Sequence, residues 1–129
     1  MTTLPASHLD LLDAPVVASL STLGPDGYPQ VTAIWFKRDG DTIVTSLTTA
    51  RQKSKNLARH PQATLFVIDP TNPYRTVEIR GDVAIEDDPD LATLRELLAE
   101  YGTDLDSFGG PLENRRRITI TPHRVVAQG

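Results

Sequence analysis

The segment at residues 45–61 combines hydroxyl and basic side chains in an order suited to binding an anion. The hydroxyl side chains that come just before the basic run are Ser46, Thr48 and Thr49, and the basic run contains Arg51, Lys53, Lys55 and Arg59. Hydroxyls, fixed cations and the free N–H groups at the start of a helix are the groups with which proteins bind phosphate. A basic run on a helix is also typical of a solvent-facing surface, which is the alternative interpretation.

The expected helix places the basic side chains where an anion would compensate them. If Thr49 or Ala50 opens the helix, Arg51 and Lys53 fall in its first turns. Cations there oppose the helix dipole, so the arrangement is favourable only with a negative ligand nearby. Lys55 and then Arg59 continue the face that carries Arg51, and such a row suits a ligand with several negative charges. Asn56 is expected either to assist or to bond locally.

Other kinds of chemistry have little support in the sequence. The chain has no cysteine, so it has neither disulfides nor thiolate metal ligands. Its histidines, His8, His60 and His123, lack the spacing of a metal site, and no metal is predicted. No glycine-rich phosphate loop, nucleophile elbow or zinc-protease motif occurs, so no catalytic residue is assigned.

Several further residues keep two interpretations each. Trp35 is either a core or interface residue or a wall against a flat ligand. Tyr74 and Arg75 either frame a pocket or belong to a strand edge. The run 115–117, three arginines, is either a solvated strand entry or reaches the ligand of a neighbouring subunit.

Composition limits the class of protein. The 129 residues suit one domain, 1–129, and the formal net charge of −4 argues against general nucleic-acid binding. No apolar run is long enough for a transmembrane helix, and the N-terminus lacks the pattern of a signal peptide. A cytoplasmic location is therefore expected. The modest hydrophobic content, 39%, suggests a core that relies on a partner subunit.

Hydrophobic periodicity and turn residues predict a mainly β, α+β chain with six strands and about three helices. Strands are expected at residues 16–22, 29–37, 42–47, 63–68, 74–86 and at 117–121 with 124–127, the last interrupted at Pro122. Helices are expected at 7–13, 49–59 and from Asp88 to Gly102. Helices between antiparallel strands favour a small antiparallel barrel with peripheral helices over a parallel sheet. Gly81, within the fifth strand, predicts a bulge or a close backbone approach.

An ordered set of short motifs resembles one family. The set is VASLST at 17–22, DGYPQVT at 26–32, TTARQKSKNL at 48–57, HPQA at 60–63, VEIRGDV at 77–83 and ITITPHRV at 118–125. Together they resemble the pyridoxamine 5'-phosphate oxidase-like (PPOX) split β-barrels, and most closely the short F420-dependent branch common in actinobacteria. The resemblance implies a six-stranded antiparallel split β-barrel of the FMN-binding type and a homodimer with cofactor sites at the subunit interface.

The resemblance also implies roles for residues at matching positions. Ser46 and Thr48 would lie at the cofactor's phosphate or ribityl chain, and Arg51 and Lys53 would bind the phosphate, with Lys55 and Asn56 assisting. A strand segment would run beside the cofactor ring and offer backbone groups to its edge. That segment comprises Gln30, Val31, Thr32, Ala33 and Ile34.

The implied function is an F420-dependent oxidoreductase that transfers hydride from the reduced deazaflavin to an unsaturated small molecule. The chain lacks the C-terminal segment that shapes the pyridoxal pocket in vitamin B6 oxidases, and its lysine-rich helix suits the oligoglutamate tail of F420. An FMN-dependent oxidase or reductase of the same fold is the first alternative. A non-catalytic carrier of F420 or flavin is the second, and a haem-binding relative lacks a clear axial ligand.

Overall fold

The computed structural model describes residues 2–129, and seven strands form one antiparallel sheet within them. The strands are β1 (Ala18–Leu23), β2 (Pro29–Ile34), β3 (Lys37–Asp39), β4 (Thr42–Thr48), β5 (Gln62–Asp69), β6 (Asn72–Asp87) and β7 (Arg115–Gln128). A 3₁₀ turn (Ala6–His8) leads into α1 (Leu9–Asp13), and two longer helices follow, α2 (Gln52–Arg59) and α3 (Ala92–Glu100).

The sheet has the order β2-β1-β5-β6-β7-β4-β3, so β2 and β3 are its two edges. The longest strands, β6 and β7, pair along most of their length and connect the two halves of the sheet. Buried aliphatic side chains from both halves, such as Leu20, Leu65, Ile79 and Ile120, share one core. The core side chains alternate along β1 and β5 with exposed ones, as expected for half-buried strands.

The predicted second strand, 29–37, is two strands rather than one, which raises the predicted count from six to seven. The break falls at Trp35 and Phe36, whose backbone groups bond to side chains instead of a neighbouring strand. The Thr45 hydroxyl donates to the Trp35 carbonyl at 2.7 Å, and the Phe36 N–H donates to the Tyr101 hydroxyl at 3.0 Å. The chain therefore leaves β1 at Ile34 and joins β4 from Lys37.

The last strand is continuous through Pro122 and begins at Arg115, so its predicted interruption and start are wrong. Proline is tolerated there because the β6–β7 register shifts at Gly81, which faces Pro122, while Arg80 faces Arg124. A Cβ atom on Gly81 would lie 2.5 Å from the Thr121 carbonyl oxygen. The bulge and close approach predicted at Gly81 are thus confirmed.

Both longer helices begin later than the sequence predicts. Helix α2 begins at Gln52, with Arg51 at the N-cap position and no side chain capping it. Helix α3 begins at Ala92, although the Asp88 carboxylate still accepts hydrogen bonds from the N–H groups of Thr93 and Leu94 at 3.2 and 3.3 Å. Leu57 fixes α2 to the core, and three buried leucines of α3 face β4 and β7. Within residues 2–129, no helix has the length and apolar character needed to cross a membrane.

Candidate functional site

A cavity of about 310 Å³ lies between β4, the end of β2 and α3, and one side of it is cationic while the other is apolar. We call it the candidate cavity. Its lining residues are Ala33, Ile34, Trp35, Thr45, Ser46, Leu47, Thr48, Arg51, Lys53, Leu94, Leu97, Leu98, Phe108 and Arg115. Four of the residues predicted to bind phosphate therefore meet in one place, because β4 ends where α2 begins.

Three cations, Arg51, Lys53 and Arg115, form the cationic end of the cavity. Burial and then the charge of Arg51 lower the pKa of Lys53. Burial and then Arg51 likewise lower the pKa of Arg115, against a weaker opposing effect of Asp88. The ion pairs found among residues 2–129 all involve other basic residues. The cationic end thus carries an excess of positive charge that an anion would neutralise.

Two hydroxyls lie beside these cations. The Thr48 side chain is 4% exposed, and its hydroxyl has no hydrogen-bond partner among the described residues. Ser46 is also buried, and its hydroxyl oxygen lies 3.5 Å from Nη1 of Arg115. Buried hydroxyls without partners are rare in folded proteins because each loses its hydrogen bonds to water. The Thr48 hydroxyl is therefore available to a group that the chain itself does not supply. The other such hydroxyl among the described residues, that of Ser54, borders a separate cavity.

The α2 N-terminus adds backbone donors to this end. The first intrahelical bonds run from the N–H groups of Ser54 and Lys55 to the Arg51 carbonyl. The N–H groups of Gln52 and Lys53 precede those bonds, and a helix leaves such groups without partners inside the helix. Cations, a hydroxyl and helix N–H groups thus converge as phosphate sites require.

Arg115 is the residue whose place in the site the sequence did not reveal. It enters the cavity because β7 pairs with β4 in the register that sets Arg115 opposite Thr48. Its neighbours lie elsewhere: Arg116 pairs with Asp87, and Arg117 with Asp39. Because side chains alternate between the two faces of a strand, Arg116 must lie on the face opposite to Arg115 and Arg117. Only the β4–β7 register shows that Arg115, rather than Arg117, enters the cavity.

The opposite wall of the cavity includes an aromatic stack. Trp35 and Tyr101 lie parallel, with ring centroids 4.4 Å apart and an interplanar angle of 6°. The Tyr101 hydroxyl donates to the Val16 carbonyl at 2.6 Å, and burial raises the pKa of this phenol, so it stays a donor. Trp35 remains 38% exposed, so part of its surface is accessible to a flat ligand. Trp35 therefore lines the candidate cavity, and both its interface and its ligand-wall interpretations stay predictions.

The strand segment predicted to lie beside the cofactor ring reaches the cavity only in part. Ala33 and Ile34 line it, and the Thr32 hydroxyl accepts a hydrogen bond from Lys53 at 3.2 Å. Val31 is 62% exposed and lies outside the lining, and the Gln30 amide oxygen is bonded to Asn56. Because β2 is an edge strand that pairs with β1 alone within residues 2–129, half of its backbone groups are available to a ligand.

Asn56 and Lys55, by contrast, do not reach the candidate cavity. Asn56 is 0% exposed, and its amide donates to Thr22 at 3.0 Å and to Gln30 at 3.3 Å while accepting from Gln52 at 2.9 Å. Lys55 is exposed and borders a separate apolar cavity beside Arg116. Asn56 therefore joins α2 to β1 and β2, while Lys55 is left on the outer side of the helix.

The remaining polar residues singled out in the sequence belong to the framework. Arg59 donates to the Leu23 carbonyl, so it does not extend the cationic end. Arg75 pairs with Asp10 and Asp69, which joins α1 to the β5–β6 hairpin, and Tyr74 is 84% exposed outside the cavity. Across residues 2–129, no group of three or more histidine and carboxylate side chains is arranged to hold a metal ion.

Comparison with known proteins identifies the family. Residues 4–129 match the family model described as pyridoxamine 5'-phosphate oxidase. The chain belongs to the pyridoxamine 5'-phosphate oxidase family. The predicted resemblance to the PPOX-like split β-barrels, and to their F420-dependent branch, is thereby confirmed together with the mainly antiparallel fold.

Solved structures similar to this family member include a protein named F420 reductase. It is 37% identical, and the alignment covers 95% of this chain and 98% of that one with a TM-score of 0.86. A conserved hypothetical protein from Mycobacterium tuberculosis is 22% identical with a TM-score of 0.80, covering 99% and 86% of the two chains. HupZ from Group A Streptococcus is 15% identical with a TM-score of 0.74, covering 97% and 94%. The last two show the fold alone, and no curated protein matches the sequence significantly.

The residues of the candidate cavity fit a flavin-type cofactor, the kind of group that this family binds. The unpartnered Thr48 hydroxyl and the unpaired cations suit its phosphate. The edge strand β2 and the exposed part of Trp35 suit a flat ring. The cavity thus carries polar groups for one end of such a molecule and apolar groups for the other.

Proposed function

We propose that this protein is an oxidoreductase that uses the deazaflavin coenzyme F420 to reduce an unsaturated small molecule. The observation that carries the proposal is the cationic end, where Arg51, Lys53 and Arg115 line one cavity together with Thr48, whose buried hydroxyl has no partner among the described residues. The choice of F420 over FMN is supported by the 37% identity, over nearly the full length of both chains, to a protein named F420 reductase.

In this proposal the cofactor's phosphate lies against Arg51, Lys53 and Arg115, with Ser46 and Thr48 at the phosphate or ribityl chain. The backbone of β2 meets the edge of the ring, from Ala33 and Ile34 outward. Lys55 is exposed on α2, outside the cavity, where carboxylates of an oligoglutamate tail could pair with it. Asn56 acts indirectly, because its hydrogen bonds hold α2 against the strands that form the site.

When bound and reduced, F420 supplies a hydride to an electrophilic carbon of the substrate. The chain positions the ring through β2, holds the phosphate and excludes water with Trp35 and the leucines of α3. The lining of the candidate cavity contains no carboxylate or histidine among the described residues. We therefore assign no protein acid and propose that solvent supplies the proton.

We also propose a homodimer with cofactor sites at the subunit interface. The outward face of the sheet carries exposed apolar side chains, among them Val31 on β2 and Phe66 and Ile68 on β5. The small side chain of Ser19 lies between them, opposite Ala33 on one side and Phe66 on the other. A broad, flat, partly apolar sheet face is suited to packing against a second copy.

A binding titration with F420 and FMN tests the cofactor assignment. We expect F420 to bind with quenching of its fluorescence, and Arg51→Ala and Lys53→Ala each to weaken binding at least tenfold. Each substitution removes a charge-assisted contact worth about 1.5–3 kcal/mol. Arg95→Ala, on the exposed side of α3, is the control and should bind like the wild type.

Two other outcomes would replace the proposal. Tighter binding of FMN, with a yellow purified protein, would assign the FMN-dependent alternative. Binding of reduced F420 without reoxidation by any of a panel of enones, quinones and tetrapyrroles would assign a carrier.

A further inference from the structure

We propose that Arg115 binds the anion in the candidate cavity and couples that anion to the ordering of the loop between α3 and β7. We call residues 101–114 the α3–β7 loop. The inference rests on the proposed function, because the natural anion there is the phosphate of the cofactor. The inference adds to the proposed function a ligand-binding residue, Arg115, that lies outside segment 45–61. It also adds that ligand binding orders the α3–β7 loop.

The hydrogen bonds of Arg115 leave part of its guanidinium unused. The side chain is 8% exposed, and a guanidinium has five N–H donors. Nε donates to the Pro111 carbonyl at 2.9 Å, whereas Nη1 lies 3.4 and 3.5 Å from the two oxygens of Ser46. Among residues 2–129, Nη2 has no acceptor within hydrogen-bond distance. A buried charge with neither a counter-ion nor a full set of hydrogen bonds is unfavourable, so an anion would stabilise it.

Thr48 provides a second and independent indication of the same ligand. Thr48 and Arg115 are direct partners across β4 and β7, so their side chains lie side by side on one face of the sheet. The Thr48 hydroxyl is buried without a partner. A donor hydroxyl and unused guanidinium N–H groups at one point match the oxygens of a phosphate.

The ends of the α3–β7 loop are held separately, at one end by hydrogen bonds from the Tyr101 hydroxyl to the Val16 and Phe36 carbonyls and at the other by the Asn114 carbonyl, which accepts from the Thr49 N–H. The middle of the loop, segment 104–113, is attached to the strands through Arg115. Its own hydrogen bonds are local, from Phe108 N–H to the Leu105 carbonyl and from Ser107 N–H to the Asp104 carboxylate. Among the described residues, the bond from Arg115 to Pro111 joins segment 104–113 to the strands. The Phe108 ring, which lines the cavity, lies 5.1 Å from the Arg115 guanidinium carbon.

These contacts predict that the anion and the loop stabilise one another. An anion that holds the guanidinium in place also holds the two groups of the loop that contact it. A loop with few contacts opens easily, so a small gain in attachment is visible as slower exchange of its amide protons. Binding energy of the phosphate would thereby close one side of the cavity.

The test is hydrogen exchange of segment 103–113 in the full-length protein, with and without inorganic phosphate. In the wild type, phosphate should slow exchange of this segment at least threefold. Arg115→Gln should bind phosphate at least tenfold more weakly and show no slowing at the phosphate concentration that saturates the wild type. Arg116→Gln is the matched control, because its side chain pairs with Asp87 on the other face of the strand.

A second variant separates binding from coupling. Phe108→Ala retains all three cations but removes a ring that lines the cavity and contacts the Arg115 guanidinium. Because coupling is reciprocal, we expect loss of the slowed exchange and a fall in phosphate affinity no larger than the coupling itself, about threefold, against at least tenfold for Arg115→Gln. If Arg115→Gln does not fold, Arg115→Lys serves instead and should bind phosphate more weakly, because it keeps the charge but loses the planar fork.

The outcomes distinguish this inference from the proposed function. Unchanged exchange of the loop in wild-type protein saturated with phosphate would overturn the inference. The inference would also be overturned if Arg115→Gln bound both phosphate and F420 as tightly as the wild type does. That result would leave the F420 assignment unchanged. Phosphate-dependent slowing that requires Arg115, in a protein that does not bind F420, would support the inference and reject that cofactor.

Discussion

The proposed ligand site rests more specifically on the Thr48 hydroxyl than on any of the charges that line the same cavity. Basic side chains on a protein surface are common and well solvated, so a group of them has many explanations. A buried hydroxyl without a partner has few, because folding has removed its water and supplied nothing in return. In this chain Thr48 lines the same cavity as three cations that take part in none of the ion pairs of residues 2–129, and we infer that an anion binds there.

Replacing Thr48 by valine tests that interpretation. Thr48→Val keeps the shape of the side chain and removes only the unpartnered hydroxyl. We expect the free energy of unfolding of the free protein to stay level or rise by up to about 1 kcal/mol, while phosphate binding weakens. Thr45→Val is the control, since it loses a real hydrogen bond to Trp35 and should cost about 1 kcal/mol. Equal destabilisation by both substitutions, in chemical denaturation, would contradict the assignment.

The lowered pKa of Lys53 predicts a pH dependence of anion binding. Burial, with Arg51 next, favours its neutral form, so the charge is complete only below the lowered pKa. Phosphate affinity should therefore fall as pH rises through a range that begins below the usual lysine titration. Above about pH 8 most of the phosphate is already dianionic, so we expect a further fall in affinity to come from loss of the charge of this lysine.

Lys53→Arg supplies the comparison, because arginine keeps its charge through that range. Its affinity for phosphate should stay nearly constant between about pH 8 and 10, where that of the wild type falls. The same affinity profile for both proteins, measured by calorimetry, would remove Lys53 from the site.

The sequence was informative about residues of the site that are close together in the chain. Ser46, Thr48, Arg51 and Lys53 lie within eight positions, so one strand and one helix start suffice to bring them together. Arg115 could not be found this way, because its place depends on pairing with a strand nearly seventy residues earlier. For Asn56 the position in the sequence was misleading. It lies in the basic segment, which suggested a contact with the ligand, but its side chain is buried and hydrogen-bonded to Thr22 and Gln30.

At the scale of elements, the β6–β7 bulge is the feature with the clearest consequence for stability. Gly81→Ala would place a methyl group 2.5 Å from the Thr121 carbonyl oxygen and 2.6 Å from a methyl of Ile120. Both strands are held in place by their long pairing, so we expect a loss of about 1–3 kcal/mol in the free energy of unfolding.

Gly109→Ala is the matched control for the bulge, because nothing lies within 4 Å of an added Cβ there. Its denaturation midpoint should lie close to that of the wild type. A midpoint for Gly81→Ala equal to that of the control would show that the two strands separate easily at this point.

The strands whose boundaries the sequence predicted to within one residue, β4 and β5, are short apolar runs that turn residues or a proline precede. The break between β2 and β3 was missed because apolar residues continue across it. Only distant side chains explain the break: Thr45 and Tyr101 supply the hydrogen bonds that a neighbouring strand would otherwise provide at Trp35 and Phe36. Local patterns carry no information about such partners.

At the scale of the whole molecule, the outward face of the sheet bears on the proposed homodimer. Phe66 is exposed on β5, near the middle of that half of the sheet. We expect Phe66→Lys to shift the mass found by light scattering from dimer to monomer, because a buried lysine without a partner opposes association. Tyr74→Lys, at an 84% exposed position outside the proposed face, should remain dimeric. A monomeric wild type at micromolar concentration would refute the dimer itself.

The position of the single tryptophan gives this protein a built-in optical probe. All indole fluorescence of the chain comes from Trp35, whose ring stacks on Tyr101 and which lines the candidate cavity. A ring-bearing ligand that covers the indole should change the emission strongly, whereas inorganic phosphate at the cationic end should change it little. One unlabelled sample can therefore report occupancy of the two ends of the cavity separately, by emission for the ring and by calorimetry for the anion.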